Sequence, residues 1–208
     1  DAATAEVVLM VLGGKVNRQL VAALQRQGVD AVGISGADGA TFTAAPLLRA
    51  GVDLGFVGQV GSVDPGLVNA LLAAGFVPVL ATVAPAAPAA DGAEPADPPF
   101  YNLNADHAAG PLAAAFGCDA LLFLTDVPGV LGRDGEVLAA LSERDCAALI
   151  AAGVARGGML PKLEAATMAL RDNPNARIVI APADGDDCVR RALQPGTGTR
   201  FVTAEETA

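Results

Sequence analysis

Lysine is scarce in this chain: among 208 residues there are eleven arginines but only two lysines, Lys15 and Lys162. Arginine cannot replace a compact ammonium everywhere, so each retained lysine invites a chemical reading. Lys162 closes the run Gly157-Gly158-Met159-Leu160-Pro161-Lys162. Glycines leading into a helix resemble an anion site, because backbone N–H groups without helical partners gather there. A cation in the first helical turn opposes the dipole. That mismatch raises a functional reading against the equally weighted one of a solvated surface lysine. A second constellation is Tyr101-Asn102-Leu103-Asn104-Ala105-Asp106. Asn102 and Asn104 can each donate and accept hydrogen bonds, which suits a carboxylate or amide ligand. Asp106, near a helix start, is favoured by the dipole and stays ionised. From spacing alone a plain helix cap is the favoured alternative. A third is Thr125-Asp126, a hydroxyl beside a carboxylate, opening the loop that runs through Val127, Pro128, Gly129 and Val130 to Leu131. The same residues also spell a Pro-Gly turn with a local Asx bond. Ser35-Gly-Ala-Asp-Gly39 is glycine-rich but lacks the spacing of a phosphate-binding P-loop or of a dinucleotide fingerprint.

These groups must be held by elements, and the pattern predicts them. Residues 4–27 carry apolar side chains at helical spacing, with Gly13-Gly14 as an interruption that splits the helix in two and Gly28 as its C-cap. Short strands are expected at 30–34, 42–47, 53–60 and 77–81, the last irregular at Pro78. Asp64-Pro65 starts a helix that ends at Gly75. The Ala/Pro-rich segment 84–99 reads as an exposed loop. Asn104-Ala-Asp106 leads into a helix through Phe116. The continuous apolar run 119–124 reads as a strand buried on both faces. Arg133-Asp-Gly-Glu136 is a hairpin-type turn, and Ser142-Glu-Arg-Asp145 is a capping-box variant opening a helix. Helices at 160–171 and 184–194 and strands at 176–181 and 200–203 complete the pattern. Strands alternate with helices, so the fold class is α/β with an open, mainly parallel sheet, and functional loops belong at the carboxyl ends of its strands.

Composition excludes several functions. The hydrophobic fraction is 52%, but 45 of the residues are alanine. No run approaches about 18 strongly apolar residues, so no transmembrane helix is expected. The net charge of −10 argues against generic nucleic-acid binding, which needs a basic footprint. It leaves room for a local cationic pocket. Three cysteines without a CxxC fit neither a disulfide framework nor a zinc site, and point to a reducing cytoplasm. A single histidine, His107, excludes sites needing several histidine ligands.

Taken in order, MVLGGKVNRQLVAAL, AVGISGADGATFTA, DLGFVGQVGSVDP, NLNAD, LLFLTDVPGVL, GGMLPK and the terminal GTGT resemble the amino-acid kinase superfamily, most closely its acetylglutamate kinases. The resemblance spans about residues 5–200. It implies a three-layer αβα sandwich of the carbamate kinase-like type. Residues 1–103 would be the remainder of an N-terminal acylamino-acid-binding lobe and 104–208 a C-terminal nucleotide-binding lobe. The implied reaction is ATP-dependent phosphorylation of the γ-carboxylate of N-acetyl-L-glutamate, with ATP entering as its Mg²⁺ complex. Lys162 matches the lysine that stabilises the transferring phosphoryl group, and Asp106 the carboxylate that holds the catalytic lysines. Asn102, with Asn104 beside it, matches the substrate-binding residue. Thr125 and Asp126 to Leu131 match the adenine-nucleotide loop, and Val154, Ala155, Arg156, Gly158 and Met159 a second nucleotide-contact segment. A homodimer or higher homo-oligomer is implied, through residues 4–13. The family's Lys-x-Gly-Gly and His-Gly-Gly-type loops do not precede Asp1, so the expectation is an incomplete site, most simply a fragment of a complete enzyme. The arginine-inhibited branch carries a Glu shortly before its GxGT. Here Pro195 directly precedes Gly196, so arginine feedback is not implied. Two alternatives stand beside this reading: a carrier-protein-linked aminoadipate kinase, and a non-catalytic nucleotide- or partner-binding pseudo-kinase.

Overall fold

The computed structural model describes residues 1–49, 51–88 and 99–203. Its first element is one continuous helical rod. Asp1 caps it through Oδ1, which accepts the Thr4 N–H at 2.9 Å. Helix α1 (Ala2–Leu9) passes into a π-helical stretch over Met10–Val16 and then into α2 (Asn17–Arg26). Gly13-Gly14 therefore does not split the helix, contrary to the expectation. The helix absorbs the glycine pair by widening its hydrogen-bond pattern, as π-bulges do. The rod ends where predicted, at Gly28 with φ +79°. By length and composition Ala2–Arg26 is apolar enough to cross a membrane, so the exclusion drawn from uninterrupted apolar runs was too strict. Polar anchors nevertheless tie it to protein: Asn17 Nδ2 donates to Val79 O at 2.8 Å, and Arg18 Nη2 to Gly33 O at 3.0 Å.

The chain divides into two compact units, Asp1–Ala108 and Ala109–Ala208. In the first, β1 (Ala31–Ile34) pairs in parallel with β4 (Val77–Leu80). Pro78 lies in β4, whose other edge is unpaired among the described residues, where a missing N–H is tolerated. A four-stranded sheet has the order β2-β3-β6-β5, from β2 (Phe42–Arg49), β3 (Val52–Val63), β5 (Val83–Pro85) and β6 (Phe100–Leu103). The first residues of the expected 84–99 loop, 84 and 85, are thus strand, while 89–98 lies outside the described residues. Helix α3 (Gly66–Ala73) starts one residue later than expected, with Asp64 Oδ1 accepting the Gly66 N–H at 2.8 Å. Helix α4 (Ala105–Ala115) follows β6 and ends at Gly117, φ +65°.

The second unit holds a sheet of order β7-β9-β10-β8, from β7 (Ala120–Thr125), β8 (Ala140–Leu141), β9 (Arg177–Pro182) and β10 (Thr199–Phe201). The β7–β9 and β8–β10 ladders are parallel and β9–β10 is antiparallel. Helix α5 (Glu143–Ala151) begins at the predicted capping box, and α6 (Met159–Asp172) lies on β9. Leu163, Ala166 and Leu170 of α6 share one core with Phe123, Ile178, Ile180 and Phe201. On the opposite face Val179 and Ala181 pack with Ala192 of α7 (Cys188–Ala192). The strand buried on both faces is therefore β9. The expected one, β7, is paired on one side only among the described residues and leaves Leu124 exposed. Helix α7 is shorter than the 184–194 expected, because Gly185 (φ +72°) and Asp187 (φ +60°) hold left-handed conformations that start it late.

Candidate active site

Asn102 sits in β6 with Val57 of β3 on one side and Val83 of β5 on the other. Alternation along the strand puts it on the face opposite the buried Leu103. Asn104 follows at the strand's carboxyl end. Its Oδ1 accepts the Asp106 N–H at 2.9 Å and the His107 N–H at 3.3 Å. The carbonyl of Asn104 is thus the cap of α4, leaving Nδ2 out of that arrangement. Asp106 is half-buried in the first turn of α4.

The remaining predicted residues all belong to the second unit. Thr125 ends β7, and its Oγ1 donates to Asp126 Oδ1 at 3.1 Å. Ala183 N–H donates to Thr125 O at 2.7 Å, so the loop leaves from the paired ends of β7 and β9. Asp126 and Pro128 are exposed, while Gly129 and Val130 are buried. Leu131 bridges antiparallel to Val137 across the predicted 133–136 turn. Val154, Ala155 and Arg156 form the bend between α5 and α6. The N–H groups of Val154 and Ala155 both reach Leu149 O, and Arg156 Nε donates to Gly153 O at 2.6 Å. Gly158 is the N-cap of α6 and Lys162 lies in its first turn.

One expectation is narrowed here. Free amides were expected at the start of α6. Instead Met159 N–H donates to Arg156 O at 3.2 Å and Leu160 N–H to Gly157 O at 3.3 Å. Pro161 has no N–H to offer. Two of the amides at this helix start are thus taken up by the bend itself. The apolar members of the three segments, Val130, Ala155, Met159 and Leu163, pack into one core. That shared core places the 125–131 loop, the 154–156 bend and the first turn of α6 around a common base.

Thr199 was read only as part of a motif, with no role. It is fully buried, and its Oγ1 accepts the Val130 N–H at 2.8 Å. The contact links residues 69 apart in sequence, so no local pattern announces it.

Comparison with known proteins places this geometry. The model of the amino acid kinase family matches residues 1–181. Carbamate kinase from Giardia lamblia bound to AMP-PNP superimposes with a TM-score of 0.59 at 15% identity, covering 97% of this chain and 74% of its own. N-acetylglutamate synthase from Neisseria gonorrhoeae, complexed with coenzyme A and N-acetyl-glutamate, gives 0.73 at 22% identity, covering 96% and 43%. The chain belongs to the amino acid kinase family, and the α/β, carbamate kinase-like fold class expected from the sequence holds. Within that family it is similar to the acetylglutamate kinases. The one from Jannaschia sp. (strain CCS1) is 43% identical over 180 residues, 86% of this chain, and the chain spans 59% of that relative's length.

Proposed function

We propose that the protein transfers the γ-phosphoryl group of ATP to the γ-carboxylate of N-acetyl-L-glutamate, giving N-acetyl-L-glutamyl 5-phosphate for arginine biosynthesis. The observation that carries this is the similarity to acetylglutamate kinases across nearly the whole chain, including every segment in which the candidate residues lie. The first unit would hold the acylamino acid, with Asn102 and the Asn104 amide nitrogen as hydrogen-bonding groups. The second would hold ATP on Thr125 to Leu131 and on the 154–159 segment. Phosphoryl transfer asks a protein for positioning and charge stabilisation rather than covalent help. Lys162 supplies a positive charge for the equatorial oxygens in flight, and Asp106 orients catalytic ammonium groups. Mg²⁺ would arrive as part of the ATP substrate complex, where it would offset phosphate charge.

The same reading extends to assembly. Val7, Met10, Val11, Val16 and Leu20 are exposed large apolar side chains along the first helical rod, a stripe that suits contact with a second copy. We propose a homodimer through this rod, in a reducing cytoplasm where Cys118, Cys146 and Cys188 stay free thiols.

The test is turnover. Expressed from its full reading frame and given ATP, Mg²⁺ and N-acetyl-L-glutamate, the protein should form an acyl phosphate that hydroxylamine traps as the hydroxamate. No trapped product, or preference for carrier-linked aminoadipate in the same assay, would overturn the proposal.

A further inference from the structure

The loop from Asp126 to Leu131 is tied down in an unusual place. At its entry, the Thr125 carbonyl is held by Ala183. At its exit, Val130 O accepts the Leu138 N–H at 2.8 Å, and Val130 N–H donates to Thr199 Oγ1 at 2.8 Å. The second of these bonds reaches a different strand. Thr199 opens β10 opposite Ile180 of β9 and is fully buried. The turn before it is clamped as well. Gly198 has φ +69°, and a Cβ there would lie 2.2 Å from Ile180 O. Gly129 presses on the same turn: a Cβ on it would fall 2.9 Å from Thr199 Oγ1 and 3.2 Å from the Gly198 carbonyl carbon. The exit of the loop thus rests on β10, an inner strand, through one hydroxyl seated by two glycines.

We infer that Thr199 is a positioning residue for the nucleotide loop, its Oγ1 fixing the Val130 amide and through it the exposed Asp126–Pro128 segment against the sheet. The inference rests on the reading of 126–131 as the ATP-binding loop. Buried donors must find acceptors, and no water or neighbouring carbonyl is required if the hydroxyl is present. Thr199→Val keeps the side chain's shape and removes only that acceptor. Thr199→Ser keeps the acceptor.

Hydrogen exchange without nucleotide tests the tether, and ATP binding tests its use. In the wild type the Val130 amide should exchange far more slowly than that of Asp126. In Thr199→Val the amides of Gly129 to Leu131 should lose protection while those of β9 keep theirs. ATP affinity should fall roughly tenfold, the loss of one buried hydrogen bond, with KM for N-acetylglutamate unchanged. Thr199→Ser should restore both. Unchanged protection at Val130 in the valine variant, or a wild-type Val130 amide that exchanges as fast as Asp126, would overturn the tether. Lost protection with unaltered ATP affinity would overturn its role in positioning nucleotide. A wild-type protein that binds no ATP would sink the kinase reading itself, a result separable because the exchange measurement uses no nucleotide.

Discussion

Lys162 stands half-buried in the first turn of α6, where the helix dipole disfavours a cation. On the proposed function, this cation serves the charge that arrives with ATP. Lys162→Ala should lower kcat by roughly 10²-fold or more if it clamps the transition state, with the far-UV spectrum unchanged. An unaltered kcat would return it to the class of surface lysines. A second residue-scale prediction concerns Ser142, whose side chain caps α5 in a reciprocal box with Asp145. Ser142→Ala should cost about 1 kcal/mol in urea unfolding. Hydrogen bonds from the Ser142 hydroxyl, then from its backbone, hold the Asp145 carboxyl below its ordinary value. A lowered folded-state value contributes stability that is present above the unfolded carboxylate range, near pH 4, and is lost as pH falls through the folded value. The penalty of the alanine variant should therefore shrink between pH 6 and pH 3. This box was legible because its four residues are contiguous. The role of Asn104 as a cap was equally legible, whereas the Thr199 contact was not: 69 residues of chain separate its partners.

Elements show where local pattern stops. The glycines that end the first rod and α4, Gly28 and Gly117, were readable because a left-handed residue is needed at each end. The ranking of β7 above β9 was not. Apolar content identifies a strand, but position within a sheet depends on what packs on both faces, and α6 and α7 sandwich β9. The pairing of the first rod with β1 was likewise hidden, though it sets a tight constraint. A Cβ at Gly33 would lie 1.9 Å from Asn17 Oδ1 and 3.0 Å from Val21 Cγ2. Gly33→Ala should then destabilise the protein by roughly 1–3 kcal/mol through overpacking. Shrinking the opposing side chain in Asn17→Ala should make the two changes strongly non-additive. Additive losses in a double-mutant cycle would refute this contact.

At the scale of the whole molecule, the exposed apolar stripe on the first rod predicts self-association. Sedimentation velocity at micromolar concentration should show a dimer. Met10→Glu with Val11→Glu should give a monomer of unchanged helical content. A wild-type monomer would refute the proposed interface. The π-helical stretch over Met10–Val16 gives this interface a rotational phase. Each residue of an α-helix turns the chain by about 100°, and a π-helical turn spends one residue more on about the same rotation. The widened stretch therefore stores an extra residue without turning Val7, Met10 and Val11 out of line with Val16 and Leu20. Deleting Gly14 and letting the rod close into regular α-helix should leave the apolar stripe, and the dimer, intact. Straightening the stretch at unchanged length, as Gly13→Ala with Gly14→Ala would favour, should instead turn one half of the stripe away from the other by about 100° and weaken self-association.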